Sequence, residues 1–177
     1  NNIVKKKKMI LDFLNSESCA RPNLNFQNWV SSLQPTSENL HTTFDYDLID
    51  GITQVFKGTF NTTVLPITCF SQKPGIFYIY TDRPSIGLGW RILTNDEFKL
   101  MIQKISHKFL QLFLQWQLEN HDLLQSSNHW KDKNIEYMQK INGMGHVYEQ
   151  RRLQDCKKWL FQNLNQDFCA NIVYDIE

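Results

Sequence analysis

GIFYIYTDRPSIGLGWRILTNDEF, residues 75–98, holds a strand, a reversal, a second strand and the start of a helix, and its reading decides the fold. Phe77, Tyr78, Ile79 and Tyr80 form an aromatic and β-branched run set off by the turn residues Lys73, Pro74 and Gly75. Trp90, Arg91, Ile92 and Leu93 make its return partner, with Pro84, Gly87 and Gly89 between the two runs. A phosphate-binding loop would need a strand, a glycine-rich turn ending in Lys-Ser/Thr, and then a helix, so that backbone N–H groups and a lysine surround the phosphate. No Lys-Ser/Thr follows these glycines, and the next element is a strand. A dinucleotide fingerprint fails as well, for want of a third glycine and a βαβ unit. The stretch therefore reads as a hairpin tip. It presents Arg83, Trp90 and Arg91, a tryptophan with flanking guanidiniums that could stack on a base or grip a partner. Trp90 is expected to be buried, plugging the sheet against the following helix, and Arg83 to be exposed.

Beyond Thr94 the period changes from two to about 3.6. Thr94 and Glu97 have capping-box form, the hydroxyl accepting from the backbone three residues on and the carboxylate reaching back. Phe98, Met101, Ile102, Ile105, Phe109, Leu112, Phe113 and Trp116 then recur every three or four residues, which predicts a helix of about six turns. Further helices are expected at about 131–142, stopping at Gly143 and Gly145, and at about 147–164.

Upstream, residues 3–14 read as a short helix and NLNFQNWVSSL, residues 23–33, as a second apolar element closed by Pro35. The stretch 34–47, rich in Ser, Thr, Asn and Asp, reads as loop. ITQVFKGTF, residues 52–60, is expected to be a strand with Gly58 at a bulge; residues 62–70 form another, with Pro66 at an edge or a strand start. FCANIVYDI, residues 168–176, reads as a last strand. Strands before helices is the α+β pattern: a small antiparallel sheet of three to four strands packed against a long central helix and two further C-terminal helices. Residues 1–50 are expected to carry short helices and an acidic loop, and residues 51–177 the α+β core, in a single domain overall. The chain of 177 residues is long enough for a substantial core, and 13% aromatic content marks it as folded. It does not begin with Met, which reads as a trimmed chain or an excised fragment of a longer protein.

Net charge is +1, so no global field recruits nucleic acid, but the charge is unevenly spread. Residues 12–56 hold six acids against one base, and residues 57–158 fourteen bases against nine acids. The four consecutive lysines at 5–8 read as a solvated helix start. A basic face is expected where Arg151, Arg152, Lys157 and Lys158 on the last helix join Lys99, Lys104 and Lys108 on the long one; with Arg83 and Arg91 these are the candidate nucleic-acid contacts.

No constellation supports catalysis. His41, His107, His121, His129 and His146 show no metal-ligand spacing, and Cys19, Cys69, Cys156 and Cys169 lie far apart with no CxxC, so no metal and no cofactor is expected. The cysteines read as buried free thiols in an intracellular compartment, cytoplasm or nucleus; the even count and the sequon at Asn61 keep a secreted alternative open. No run reaches the length of a membrane span.

One resemblance rests on Pro66, Ile67, Cys69, Lys73, Phe77, Tyr78, Ile79, Trp90, Lys108 and Trp116, in that order. This stretch resembles the C-terminal module of large cytoplasmic DNA virus proteins that carry a zinc finger or KilA-N domain ahead of it. Phe70, Ser71 and Lys73 stand where that module usually has Thr-Asp and Arg, and the loop before Trp90 is longer. The match covers about a third of the chain and consists mostly of core residue types. It implies an accessory module in a nucleic-acid setting, with no catalytic residues to carry over. Together these readings give a non-catalytic interaction module, an accessory subunit or domain docking a protein partner in a nucleic-acid-handling assembly. The alternatives are direct DNA or RNA binding through the basic helical face and a hydrolase or transferase using Cys69 or Cys156.

Overall fold

The computed structural model describes residues 9–61, 64–143 and 146–168. They form eight helices and one four-stranded sheet, in the order α1 (Ile10–Leu14), α2 (Phe26–Ser32), α3 (Ser37–Asp45), α4 (Leu48–Lys57), β1 (Ile67–Phe70), β2 (Phe77–Arg83), β3 (Gly87–Ile92), α5 (Asn95–Glu119), α6 (His121–Gln125), α7 (Asn128–Asn142), α8 (His146–Leu164) and β4 (Asn165–Gln166). The chain divides into two compact units: residues 1–29, 62–94 and 161–177 make the first, residues 30–61 and 95–160 the second.

The first unit is built on the sheet, ordered β3-β2-β1-β4. The β2–β3 hairpin pairs Tyr78 with Ile92, Tyr80 with Trp90 and Arg83 with Gly87, and β1 runs antiparallel to β2, Ile67 opposite Ile79. The sheet is mixed rather than wholly antiparallel, because the two-residue β4 lies parallel to β1, Cys69 opposite Asn165. Pro66 stands just before β1, where its missing N–H costs nothing and its carbonyl accepts from Tyr80 N at 2.9 Å. The expected strand over residues 168–176 lies outside the described residues except Phe168, which is buried.

Trp90 is buried, 4% exposed, in a cluster with Ile10, Leu14, Phe70, Tyr78 and Phe168. Its neighbours are thus α1 and the sheet itself, and the plug seals that cluster. Asn15, just past α1, holds the edge of β3: its side chain accepts from Trp90 N at 2.8 Å and donates to Trp90 O at 3.2 Å. An amide side chain thereby satisfies the two outward backbone groups that Trp90, on an edge strand, would otherwise offer to another chain. At the hairpin tip the structure separates the two glycines. Gly87 has φ +89°, the left-handed region that favours glycine, and open space around its Cα. Gly89 has ordinary backbone; it is small because the Arg83 guanidinium lies across it.

The second unit is helical. Residues 52–60, expected as a strand, begin instead within α4, and Leu48, Ile52, Val55 and Phe56 are all buried at helical spacing. The expected loop at 34–47 carries α3. Thr36 caps it in a capping box with Asn39, and the Asp47 carboxylate accepts from Asp50 N to cap α4. The polar residues that suggested a loop are caps. α5 starts at Asn95, one residue past Thr94, and buries Phe98, Met101, Ile102, Ile105, Phe109 and Phe113. Phe44 of α3 stacks on Tyr137 of α7 with centroids 4.0 Å apart and meets Trp116 of α5 edge-on at 4.8 Å. α7 begins three residues earlier than its apolar period indicates, because Ser127 caps it, and ends at Gly143, whose φ is +72°.

Candidate functional site

The structure sorts the nine candidate basic residues into different environments. Arg83 is half-buried and folded back on its own hairpin, its Nε donating to Gly87 O at 3.2 Å and a terminal nitrogen to Leu88 O at 3.3 Å. The expectation of an exposed Arg83 is corrected accordingly: the wide turn leaves strand carbonyls that the guanidinium satisfies. Arg91 is half-buried, with a terminal nitrogen donating to Ile92 O at 3.1 Å. Lys108 is held at the C-terminus of α2, its ammonium donating to Ser31 O at 2.9 Å and Leu33 O at 2.5 Å. A cation there satisfies carbonyls that have no partner within the helix and meets the negative end of its dipole. Lys140 does the same for α3, donating to Phe44 O at 2.6 Å.

Arg152, expected on the basic face, is 8% exposed and points inward. Lys99, Lys104, Arg151 and Lys158 are exposed, and Lys157 is half-buried. Lys157 donates to Asn95 Oδ1 at 3.4 Å, which brings the C-terminal half of α8 to the first turn of α5, one turn from Lys99. Lys104 is five residues from Lys99, about 140° away around the helix, and does not share that face. Arg151 faces Asp155 across 3.7 Å on an exposed stretch of α8, a pair worth little in water. What remains of the expected face is Lys157 near the start of α5 that carries Lys99, with Lys158 exposed next to it in sequence.

The thiols show the reverse of nucleophilic tuning. Cys69 and Cys156 are fully buried, and burial pushes each up to about 12. Cys19 is half-buried and also raised by burial, and these three are free thiols; Cys169 lies outside the described residues. Among the described residues no group of three or more His, Cys, Asp or Glu is placed to hold a metal ion, and no helix is long and apolar enough to cross a membrane.

Two features that the sequence did not announce lie in the second unit. The first is apolar side chains turned to solvent: Leu114 and Leu118 on α5 and Ile135 and Met138 on α7 are all exposed, Leu118 by 75%. Gln117 donates to Asn134 Oδ1 at 2.9 Å and pins these two helical stretches side by side, so the four lie within about a turn of one interhelical contact. The second is a cavity of about 390 Å³ walled by Ile102, Ser106, Gly143, Tyr148, Arg152 and Leu153. Burial raises the Tyr148 phenol there, the Asp47 charge adding and the Arg152 charge opposing. Neither Ser106 nor Tyr148 carries a motif, and only the crossing of α5 and α8 makes them neighbours.

No protein-family model matches this chain, and no curated protein or solved structure is significantly similar to it.

Proposed function

We propose that this protein is a non-catalytic interaction module, an accessory subunit or domain that docks a protein partner within a nucleic-acid-handling assembly. The observation that carries it is the set of exposed aliphatic side chains Leu114, Leu118, Ile135 and Met138 around the α5–α7 contact. Burying such side chains against a partner gains roughly 25 cal/mol per Å² of apolar surface before the costs of association, and an interface core is where they are spent. The inward or unreactive state of the thiols is in keeping with a role without chemistry. The nucleic-acid setting is supported by the resemblance read from Pro66 through Trp116. The test is affinity capture from the protein's own cells, with the unmodified chain and with Leu118→Asp plus Ile135→Asp. Both positions are exposed, so the variant should fold. A protein captured by the first and lost with the second supports docking; no captured protein, or one retained by both, sinks it.

A second reading, direct nucleic-acid binding, is favoured by the approach of Lys157 to the start of α5 beside Lys99. Three phosphate contacts would give a slope of about −2 to −3 in log affinity against log salt. Lys99, Lys157 and Lys158 changed together to Glu should abolish a salt-sensitive gel shift. If the unmodified chain gives no shift with DNA or RNA at micromolar concentration, this reading fails.

A further inference from the structure

Arg152 and Ser106 share a peculiarity. Buried polar atoms in folded proteins almost always find a partner, yet Arg152 Nε and Ser106 Oγ are buried without one, and both side chains wall the same cavity. Each such donor costs the fold free energy, so a bound group that accepts from both would restore what folding forfeits. The arginine is not simply misplaced. Its guanidinium carbon sits 5.2 Å from the centre of the Tyr148 ring, and its other end presses on Gly143, where an added Cβ would come within 2.6 Å of a terminal nitrogen. The φ of +72° at Gly143 lets the chain turn there while leaving room for that guanidinium. The donor is thus held in place by a stacked ring and a bare backbone.

The space is too large for a bridging water alone. A water takes about 30 Å³ of liquid volume, and the cavity is about 390 Å³, within the range of small-molecule sites. Its walls also fix the charge of an occupant. Arg152 is the sole base among the lining residues; Glu149 also lines the cavity and is already engaged, and the Asp47 charge reaches Tyr148. A single guanidinium can balance at most one negative charge, and with Glu149 on the same wall a phosphate dianion would be left uncompensated. Ile102, Leu153 and the Tyr148 ring supply apolar wall beside the donors.

We propose that this cavity binds a small organic monocarboxylate with an apolar body, its oxygens accepting from Arg152 Nε–H and the Ser106 hydroxyl. The cavity shares no lining residue with the exposed set Leu114, Leu118, Ile135 and Met138, and the proposal does not rest on partner docking. The experiment uses the full chain and the NMR resonance of the Arg152 Nε–H, with benzoate, acetate and inorganic phosphate as probes. Benzoate should move that resonance saturably in the millimolar range, acetate should bind more weakly for lack of a body, and phosphate should leave it unmoved. Ser106→Ala, a small change at a partly exposed residue, should weaken benzoate about tenfold, the worth of one charge-assisted hydrogen bond. Arg152→Gln should abolish binding if it folds. An Nε–H resonance indifferent to benzoate, phosphate binding as well as benzoate, or Ser106→Ala binding benzoate like the unmodified chain would each overturn the proposal.

Discussion

Replacing Trp90 with Ala tests the packing of the buried cluster in the first unit. The side chain is 4% exposed among Ile10, Leu14, Phe70, Tyr78 and Phe168, and its ring lies 5.7 Å from that of Tyr80. Burying an aromatic of this size removes on the order of 200 Å² from water, so about 5 kcal/mol at ~25 cal/mol per Å². Alanine keeps the β-carbon and the denatured chain already hides part of the ring, which brings the transfer contribution to about 3 kcal/mol. The cavity left behind adds to this, giving a loss of roughly 3–5 kcal/mol. The two hydrogen bonds from Asn15 run to the Trp90 backbone and survive the substitution, so the measurement isolates the ring. Urea unfolding followed by far-ultraviolet circular dichroism should show a lower midpoint at unchanged slope. A loss below about 1 kcal/mol would mean that the ring is not packed as described, and would return Trp90 to the candidates for a stacking contact.

Alkaline pH should destabilise the fold. The buried Cys69 and Cys156 thiols titrate near 12 when folded against 9.0 for a free thiol, so between those values the unfolded chain ionises first. The unfolded state then binds fewer protons, and stability is full below about pH 9 and falls above it, by up to about 1.4 kcal/mol per pH unit for each thiol. Unfolding curves with and without Cys156→Ala should differ in that slope; parallel pH profiles would refute the assignment. Lys108→Met removes the ammonium that serves Ser31 and Leu33 while keeping the stem. It should cost about 1–3 kcal/mol by urea unfolding, and a neutral result would show that water replaces the cap. At the hairpin tip, Gly87→Ala should cost about 1 kcal/mol from the positive φ alone. Gly89→Ala should instead displace Arg83, so its cost should nearly vanish when Arg83 is already Ala. Additive costs would contradict the contact.

The α+β class was legible because its decisive elements are locally consistent. Phe77 to Tyr80 suit a strand, Pro84 and Gly87 a reversal, and the run from Phe98 to Phe113 recurs at helical period within the 25-residue α5. α4 was misread because Ile52, Val55 and Phe56 are β-branched or aromatic, and weight given to residue type hid their spacing. Spacing is the stronger signal, since burial of one face outweighs a propensity difference of a few tenths of a kcal/mol per residue. α3 was lost in the same way. Thr36, Asn39 and Asp47 are helix-starting residues as much as loop residues, and only the buried Leu40 and Phe44 between them decide the matter. β4 has two residues and no periodicity to read.

The basic face shows why charge at helical spacing did not give the site. Arg151 and Arg152 are adjacent and chemically identical, so about 100° of helix rotation alone separates an exposed guanidinium from a buried one. Which of the two turns inward depends on Gly143 and Tyr148 leaving space for it. Lys108, expected on the basic face, and Lys140 each find the open carbonyl end of another helix. A lysine satisfied by backbone oxygens has donors already committed, and a phosphate would have to compete with them. The count of cations on a stretch therefore overstates its binding capacity wherever helices end nearby, and Lys108 and Lys140 are engaged because α2 and α3 stop beside them. That predicts a sharp difference between two triple substitutions. Lys99, Lys157 and Lys158 to Glu should abolish nucleic-acid binding if there is any, at a cost of about 1 kcal/mol in stability, since Lys99 and Lys158 are exposed and half-buried Lys157 gives up one long hydrogen bond. Lys108, Lys140 and Arg152 to Gln should leave any such binding intact while lowering the urea midpoint. An exchange of these two outcomes would show that the capping lysines, and not the exposed ones, carry the contact.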